Sequence, residues 1–189
     1  MLIRESWTRF AEWLELNAPM SFANLKPPAQ SWELSAAEAS FGFTLHEDVT
    51  TLLHLNNGTL SYTEAQNAAQ ASFFFPGNSR LVPISESLAK SVRLRKILTG
   101  MDSQMVGRWW HPCWVPIAVS SSTDALFVDH RPGKTYGTVG TFLHDGFVIM
   151  RNMTLRELLE HMAAISDGRI VFDRYPALED SQLRWRITY

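Results

Sequence analysis

The densest collection of chemically capable side chains in this sequence lies between residues 109 and 133, WWHPCWVPIAVSSSTDALFVDHRPG. It holds Trp109, Trp110 and Trp114, the lone Cys113 two places after His111, the serines 120–122, and the pair Asp129-His130. By type His111 and Cys113 are zinc ligands, but a structural zinc site needs four ligands, usually in paired Cys or His spacings that this chain lacks. His46 and His54 are eight apart and no His-Glu-x-x-His pattern occurs, so a zinc-hydrolase centre has no motif behind it. Cys113 reads as a small buried hydrophobe. Ser120 to Ser122, Asp129 and His130 supply the residue types of a hydrolase triad. The strained Gly-x-Ser-x-Gly elbow is absent, however, and serines between two strands read as a hydrogen-bonding turn. A nucleophilic Cys113 would also need a neighbouring base in an electropositive setting. The expectation is no catalytic residue, no metal and no cofactor.

Other patterns divide between surface and core. Gly137 and Gly140, in YGTVGTF, match neither a phosphate loop nor a dinucleotide fingerprint and read as a bulge or a close backbone approach. Lys90, Arg93 and Lys96 are three apart and form a small basic stripe, expected as a solvated helix face. The tryptophans fit either a partner anchor, as aromatic hot spots do, or the core. In an extended segment Trp110 and Trp114 point one way and Trp109 the other, which favours core for at least two of the three.

The elements that must position these residues are legible as periodicities. Trp7, Phe10, Ala11 and Leu14 predict an amphipathic helix ending before Pro19, and the Pro27-Pro28 stretch from Asn24 to Ser31 predicts an extended connection. Capping boxes at Ser35/Glu38 and Thr44/Glu47 predict two helices, the first stopping at Gly42 and the second at Asn56-Asn57-Gly58. Residues 58–72 read as a long exposed loop with a short central helix, Phe73 to Phe75 as a buried strand, and Ser85 to Leu98 as a helix with Leu88, Val92 and Leu94 inward. The period then changes to two. Strands are predicted at Val115 to Val119, Leu126 to Asp129, Gly137 to Leu143 and Phe147 to Arg151, separated by turn residues in a meander. Thr154 and Glu157 cap a helix carrying Leu155, Leu158, Leu159 and Met162, and the tail Leu183, Trp185, Ile187, Tyr189 alternates as a half-buried strand.

The whole is expected to form a single domain over residues 1–189. With 46% hydrophobic and 19% charged residues the composition is that of a folded globular chain, and a net charge of -2 argues against a general nucleic-acid or anionic-membrane binder. The start, MLIRE, lacks a secretory head, no apolar run approaches the roughly 20 residues needed to span a bilayer, and one cysteine allows no internal disulfide. A cytoplasmic location fits these features.

The order of elements resembles the SUKH superfamily, which joins fungal cell-wall-assembly regulators to bacterial toxin-immunity proteins. The resemblance runs from Ala18-Pro19 through Glu38, Asn56-Asn57-Gly58 and LVPISE (Leu81 to Glu86), to W-x-x-x-W-V-P-I-A from Trp110 to Ala118. It continues through Asp124 and Asp129 in TDALFVD, Pro132-Gly133, Gly137 to Gly140 and the capped C-terminal helix. Two details depart from it: members commonly have Leu-Pro where this chain has Leu45-His46, and a glycine near the position of Thr123. The resemblance implies an α+β fold with a largely antiparallel central sheet of about four to six strands, flanked by N-terminal helices and a C-terminal helix. It implies a non-catalytic module that binds a protein partner, most concretely an immunity protein neutralising a cognate toxin, with no nucleic-acid or membrane partner and the oligomeric state left open. A toxin with a basic cleft would be complemented by acids. The candidate contacts are Glu47, Asp48, Asp124 and Asp129, with Trp110 as an aromatic anchor, although the acids also suit helix starts and turns. A regulatory scaffold, or a small-molecule binder or enzyme built on Trp109 to Ala118, is the alternative.

Overall fold

The structure, a computed structural model, describes residues 2–168 and 170–187. Helix α1 (Ile3–Asn17) buries Trp7, Phe10 and Leu14 on one face and stops before Pro19, which opens the short α2 (Pro19–Ala23). The Pro27-Pro28 segment is extended, its backbone tied to the next helices by the Ala29 amide on the Leu53 carbonyl at 2.8 Å. Helix α3 (Ser31–Phe41) ends at Gly42 in the left-handed conformation, as expected. Its start is not at Ser35. The Glu33 carboxylate accepts from the Gln30 amide at 2.8 Å, and Glu38 reaches forward to the Leu45 amide at 2.8 Å. Helix α4 (Glu47–Leu55) buries Val49, Leu52 and Leu53, and its cap is His46 rather than Thr44: the His46 Nδ1 accepts from the Asp48 amide at 3.1 Å.

Residues 58–72 are less exposed than their composition suggests. After α5 (Tyr62–Ala65) a tight helical stretch at 66–72 buries Ala69, Ala71 and Ser72, and the Asn24 side-chain amide bonds the Ala68 carbonyl and the Ser72 hydroxyl. Phe73, Phe74 and Phe75 are buried but form no strand; Phe75 and Ser79 exchange backbone bonds across a tight turn that leads into β1 (Ser79–Leu81). Helix α6 (Ile84–Leu98) starts one residue before the predicted Ser85, and Val92, expected inward, is 52% exposed. Leu94 is buried and Leu88 partly buried, as expected, and Ile84, Ser87, Ser91 and Leu98 are the other buried positions.

The meander follows as predicted: β2 (Trp114–Ser120), β3 (Ala125–Asp129), β4 (Thr138–Phe142) and β5 (Val148–Thr154) pair antiparallel in sequence order, and β1 adds antiparallel to the free edge of β2. The result is the expected α+β architecture. Helix α7 (Leu155–Ala163) is capped by Thr154, whose hydroxyl accepts from the Glu157 amide. The tail forms β7 (Gln182–Ile187), which pairs not with the central sheet but with β6 (Arg174–Glu179), a strand the sequence pattern did not announce. The predicted alternation at Thr188 and Tyr189 falls outside the described residues.

Both faces of the central strands are covered. On one side Val115, Leu126, Val128 and Val139 join a cluster with Phe10 and Leu14 of α1, Val49 of α4, Leu158 of α7 and Trp185 of β7. On the other, Phe127 and Phe142 pack with Trp110, Trp114, Leu94 and Leu98. Pro116, which has no amide to give a ladder, stands beside a register shift in β2, as proline in an interior strand requires. A second shift lies between Thr138 and Gly140, so the glycine run marks both a bulge and a close approach. A Cβ on Gly140 would run into the ring of Phe127. Gly140→Ala is therefore expected to lower unfolding stability by about 1 to 3 kcal/mol, read from urea midpoints. A Gly140→Ala protein as stable as the parent would show that this approach is not constraining.

Candidate functional site

Trp110 is fully buried, its ring edge-on to Trp114 at 5.5 Å, Phe127 at 5.8 Å and Phe142 at 5.4 Å. Trp114 lies flat on Phe127 at 4.3 Å, and Trp109 is half-buried, edge-on to Phe142 at 5.2 Å. The division between core and surface follows the expected split, and it removes Trp110 from the surface: the ring proposed as a partner anchor has no exposed area in this fold. Geometry of this kind contributes about 0.5 to 1.5 kcal/mol per aromatic pair beyond area burial. The Nε1 groups of Trp110 and Trp114 have no hydrogen-bond partner among the described residues.

The acids are likewise placed by their hydrogen bonds. Asp129 at the end of β3 is fully buried and gripped by Arg131, whose amide lies 2.9 Å from Oδ1 and whose Nη2 lies 2.6 Å from Oδ2. Burial pushes the Asp129 carboxyl up, but the Arg131 bonds and one from Thr135 outweigh it and hold the group below the ordinary carboxylate range. The same guanidinium lies 5.4 Å from the Trp114 ring. Asp124, at the far end of β3, accepts from the His144 amide at 2.8 Å and the Ser122 hydroxyl at 2.8 Å, so it ties the β2–β3 turn to the β4–β5 turn. The serines are thus a hydrogen-bonding turn, as read from their pattern. Glu47 and Asp48 open α4, where Arg156 of α7 bonds Asp48 at 2.7 Å and Glu47 at 3.1 Å. Asp48 is buried by this pairing and Glu47 remains exposed. These acids do not converge: at roughly 3.3 Å per residue, Asp124 and Asp129 stand about 16 Å apart along β3.

Thr123 in the β2–β3 turn has φ +71°, a conformation that a β-branched residue adopts only with strain. The SUKH resemblance implies a glycine near this position. Thr123→Gly is expected to raise stability by about 0.5 to 1 kcal/mol, measured by thermal and urea unfolding; an unchanged or lower midpoint would show that the turn carries no such strain.

The structure adds a group that sequence spacing did not reveal. The His130 Nε2 accepts the His46 amide at 2.9 Å, and its Nδ1 lies 3.0 Å from the Val128 carbonyl, which fixes the proton on Nδ1. Phe43 packs on His130 at 5.3 Å and Tyr136 on His46 at 4.7 Å, while Gly137, φ +80°, leaves room for the His46 ring. The backbone angle of His46, φ -56°, would suit the proline that the SUKH resemblance implies there, but proline has no amide for His130. The two histidines are 84 residues apart in sequence, so no local pattern could have paired them.

Burial lowers the pKa of His130 to about 4, and the charge of His46 adds to this, while the Val128 carbonyl and Asp129 oppose it. The unfolded chain takes up a proton near pH 6.5 that the folded chain refuses until about 4, so acid favours unfolding in that window. The expected loss is roughly 3 kcal/mol as pH falls from about 6.5 to about 4. Asp129, with its lowered carboxyl, contributes its own loss only below the ordinary carboxylate range. His130→Gln should flatten the first window in urea titrations and leave the second; an unchanged slope would show that His130 is not the group responsible.

His111 and Cys113 do not form an activated pair. The His111 Nδ1 accepts from the Cys113 amide at 3.0 Å rather than from its thiol, and burial pushes the thiol pKa up and the imidazole pKa down, each away from thiolate and imidazolium. Among the described residues no group of three or more His, Cys, Asp or Glu side chains is placed to hold a metal ion, and no helix is long and apolar enough to cross a membrane.

Compared with known families, residues 28–161 match the SMI1/KNR4 family (SUKH-1), more than two thirds of the chain. The matched segment contains α3 to α6, the five-stranded sheet and most of α7, leaving α1, α2 and the β6–β7 hairpin outside it. No curated protein matches the chain.

Proposed function

The chain belongs to the SMI1/KNR4 (SUKH-1) family, and from that membership we propose that it is a non-catalytic protein-binding module, most concretely an immunity protein that neutralises a cognate toxin. The family match carries this reading. It is supported by the way the polar side chains of residues 109–133 are used, since those with the chemistry of an active site are bonded into turns and strand ends. Asp129 is held by Arg131, Asp124 by Ser122 and His144, and His111 by the Cys113 backbone. A nucleophile needs a free base beside it, and a Cys113 thiol raised by burial is the opposite of an activated one. Of the acids expected at a partner surface, Glu47 keeps its carboxylate largely exposed, whereas Asp48 and Asp129 act from inside by fixing α4 to α7 and Arg131 to the sheet.

The test is co-expression with the product of a neighbouring gene that encodes a toxin-like domain. Growth of the toxin-expressing strain should be restored and the two proteins should co-purify as a stable complex. If no neighbour encodes such a domain and pull-downs with the chain recover nothing, the immunity reading is wrong.

A further inference from the structure

A groove of about 590 Å³ opens between α6 and the two turns at one end of the sheet. Its apolar lining comes from Leu94, Val119, Phe142 and the half-buried Trp109. The α6 wall is a single helical stripe, Glu86, Lys90, Arg93 and Ile97, spaced so that all four project to one side. Lys96, the third member of the basic stripe seen in the sequence, is not among the lining residues.

The charges along this groove do not cancel locally. The lining holds three cations, Arg80, Lys90 and Arg93, against one acid, Glu86, which is paired with Arg80; Asp124 stands beside the groove, hydrogen-bonded by Ser122 and His144. Lys90 Nζ reaches the Thr123 carbonyl at 2.9 Å, with two of its three donors left over, and no described residue pairs with Arg93. Desolvation pushes the Lys90 amine down and Arg93 pushes it further, outweighing the opposing charges of Glu86 and Asp124. Arg80, the third cation of the lining, is 9% exposed, and its Nη1 has no hydrogen-bond partner among the described residues. Ile97 at the end of the stripe is 42% exposed.

We infer that this groove docks an acidic peptide segment of a partner protein, with carboxylates on Lys90 and Arg93 and an apolar side chain against Trp109 and Phe142. The size lies within the roughly 300 to 1,000 Å³ of ordinary ligand sites, and the two leftover cations favour an anion over a basic segment by like-charge repulsion. A nucleic acid fits less well, because the cations form a short cluster rather than a track and the chain as a whole carries -2. The inference rests on the protein-binding reading and adds the partner's chemistry, with a sign opposite to the basic toxin cleft that the acids of the sequence suggested.

The experiment is panning of a random dodecapeptide phage library on the full chain, followed by fluorescence polarisation with the enriched peptides. Enriched sequences should be rich in Asp and Glu around a Leu, Ile, Phe or Trp, should weaken with added salt, and should bind Lys90→Glu/Arg93→Glu about tenfold or more weakly. Both substituted positions are on the groove wall of a helix whose core positions are untouched, and an unchanged thermal midpoint establishes that the variant is folded. Enrichment without acidic bias, no enrichment, equal binding to the folded variant, or displacement of the peptide by a lower concentration of single-stranded oligonucleotide would each overturn the inference. A toxin complex that forms equally well with the double variant overturns the groove and leaves the immunity reading standing. Acidic peptides bound at the groove without any toxin complex have the reverse meaning.

Discussion

The ring of Phe127 lies between the face of Trp114 and the bare backbone of Gly140, and the second layer of the protein is assembled from that stack outward. With no side chain on β4 at this point, Phe127 can lie down against the sheet, Trp114 can stack on it at 4.3 Å, and Trp110 can close the edge of both. Helix α6 then covers the aromatic layer through Leu94 and Leu98. The opposite face of the same strands meets α1, α4 and α7, so β2 and β3 have aromatic packing on one side and aliphatic packing on the other. Interiors packed to this density tolerate little change of volume, and a sheet caught between two such layers has few alternative registers.

That constraint also decides what the polar residues do. At the strand end next to Trp114, Asp129 and Arg131 neutralise each other and the guanidinium covers the indole. One residue further on, His130 is drawn into the interface with α4 and caps the approach to that helix through the His46 amide. At the other end, Asp124 clamps two turns together. Side chains that look reactive in a list are therefore the fasteners of the sheet ends. Beside them, on α6 and the rim of the aromatic layer, Lys90 and Arg93 stand over apolar surface.

Local signals were legible where the bonds they predict are themselves local. The Thr154/Glu157 box caps α7 because both partners lie within one turn, and the turns between β2 and β5 were readable because their residue types are those that turn backbones favour. The same box pattern misled at Ser35/Glu38 and Thr44/Glu47. Glu38 is recruited by Leu45 and the cap of α4 is supplied by His46, held in place by a histidine 84 residues away. Phe73 to Phe75 read as a strand from composition, yet burial there comes from packing under α1 and the tail, with the Trp185 indole donating to the Phe74 carbonyl at 2.6 Å. The candidate site shows the same division. The split of the tryptophans between core and surface could be argued from strand alternation, whereas the burial of Asp129, the His46–His130 contact and the groove beside α6 could not.

By itself the sequence determined the α+β layout, the meander from β2 to β5, the capped α7 and the family resemblance, because hydrophobic period, turn chemistry and short-range capping are properties of neighbouring residues. Only the tertiary structure decided which way each functional candidate faces. Burial, ion pairing and the surroundings of a titratable group depend on residues brought together from distant parts of the chain, as Arg156 is to Asp48, His130 to His46 and Lys90 to Trp109. No spacing within one segment encodes those meetings.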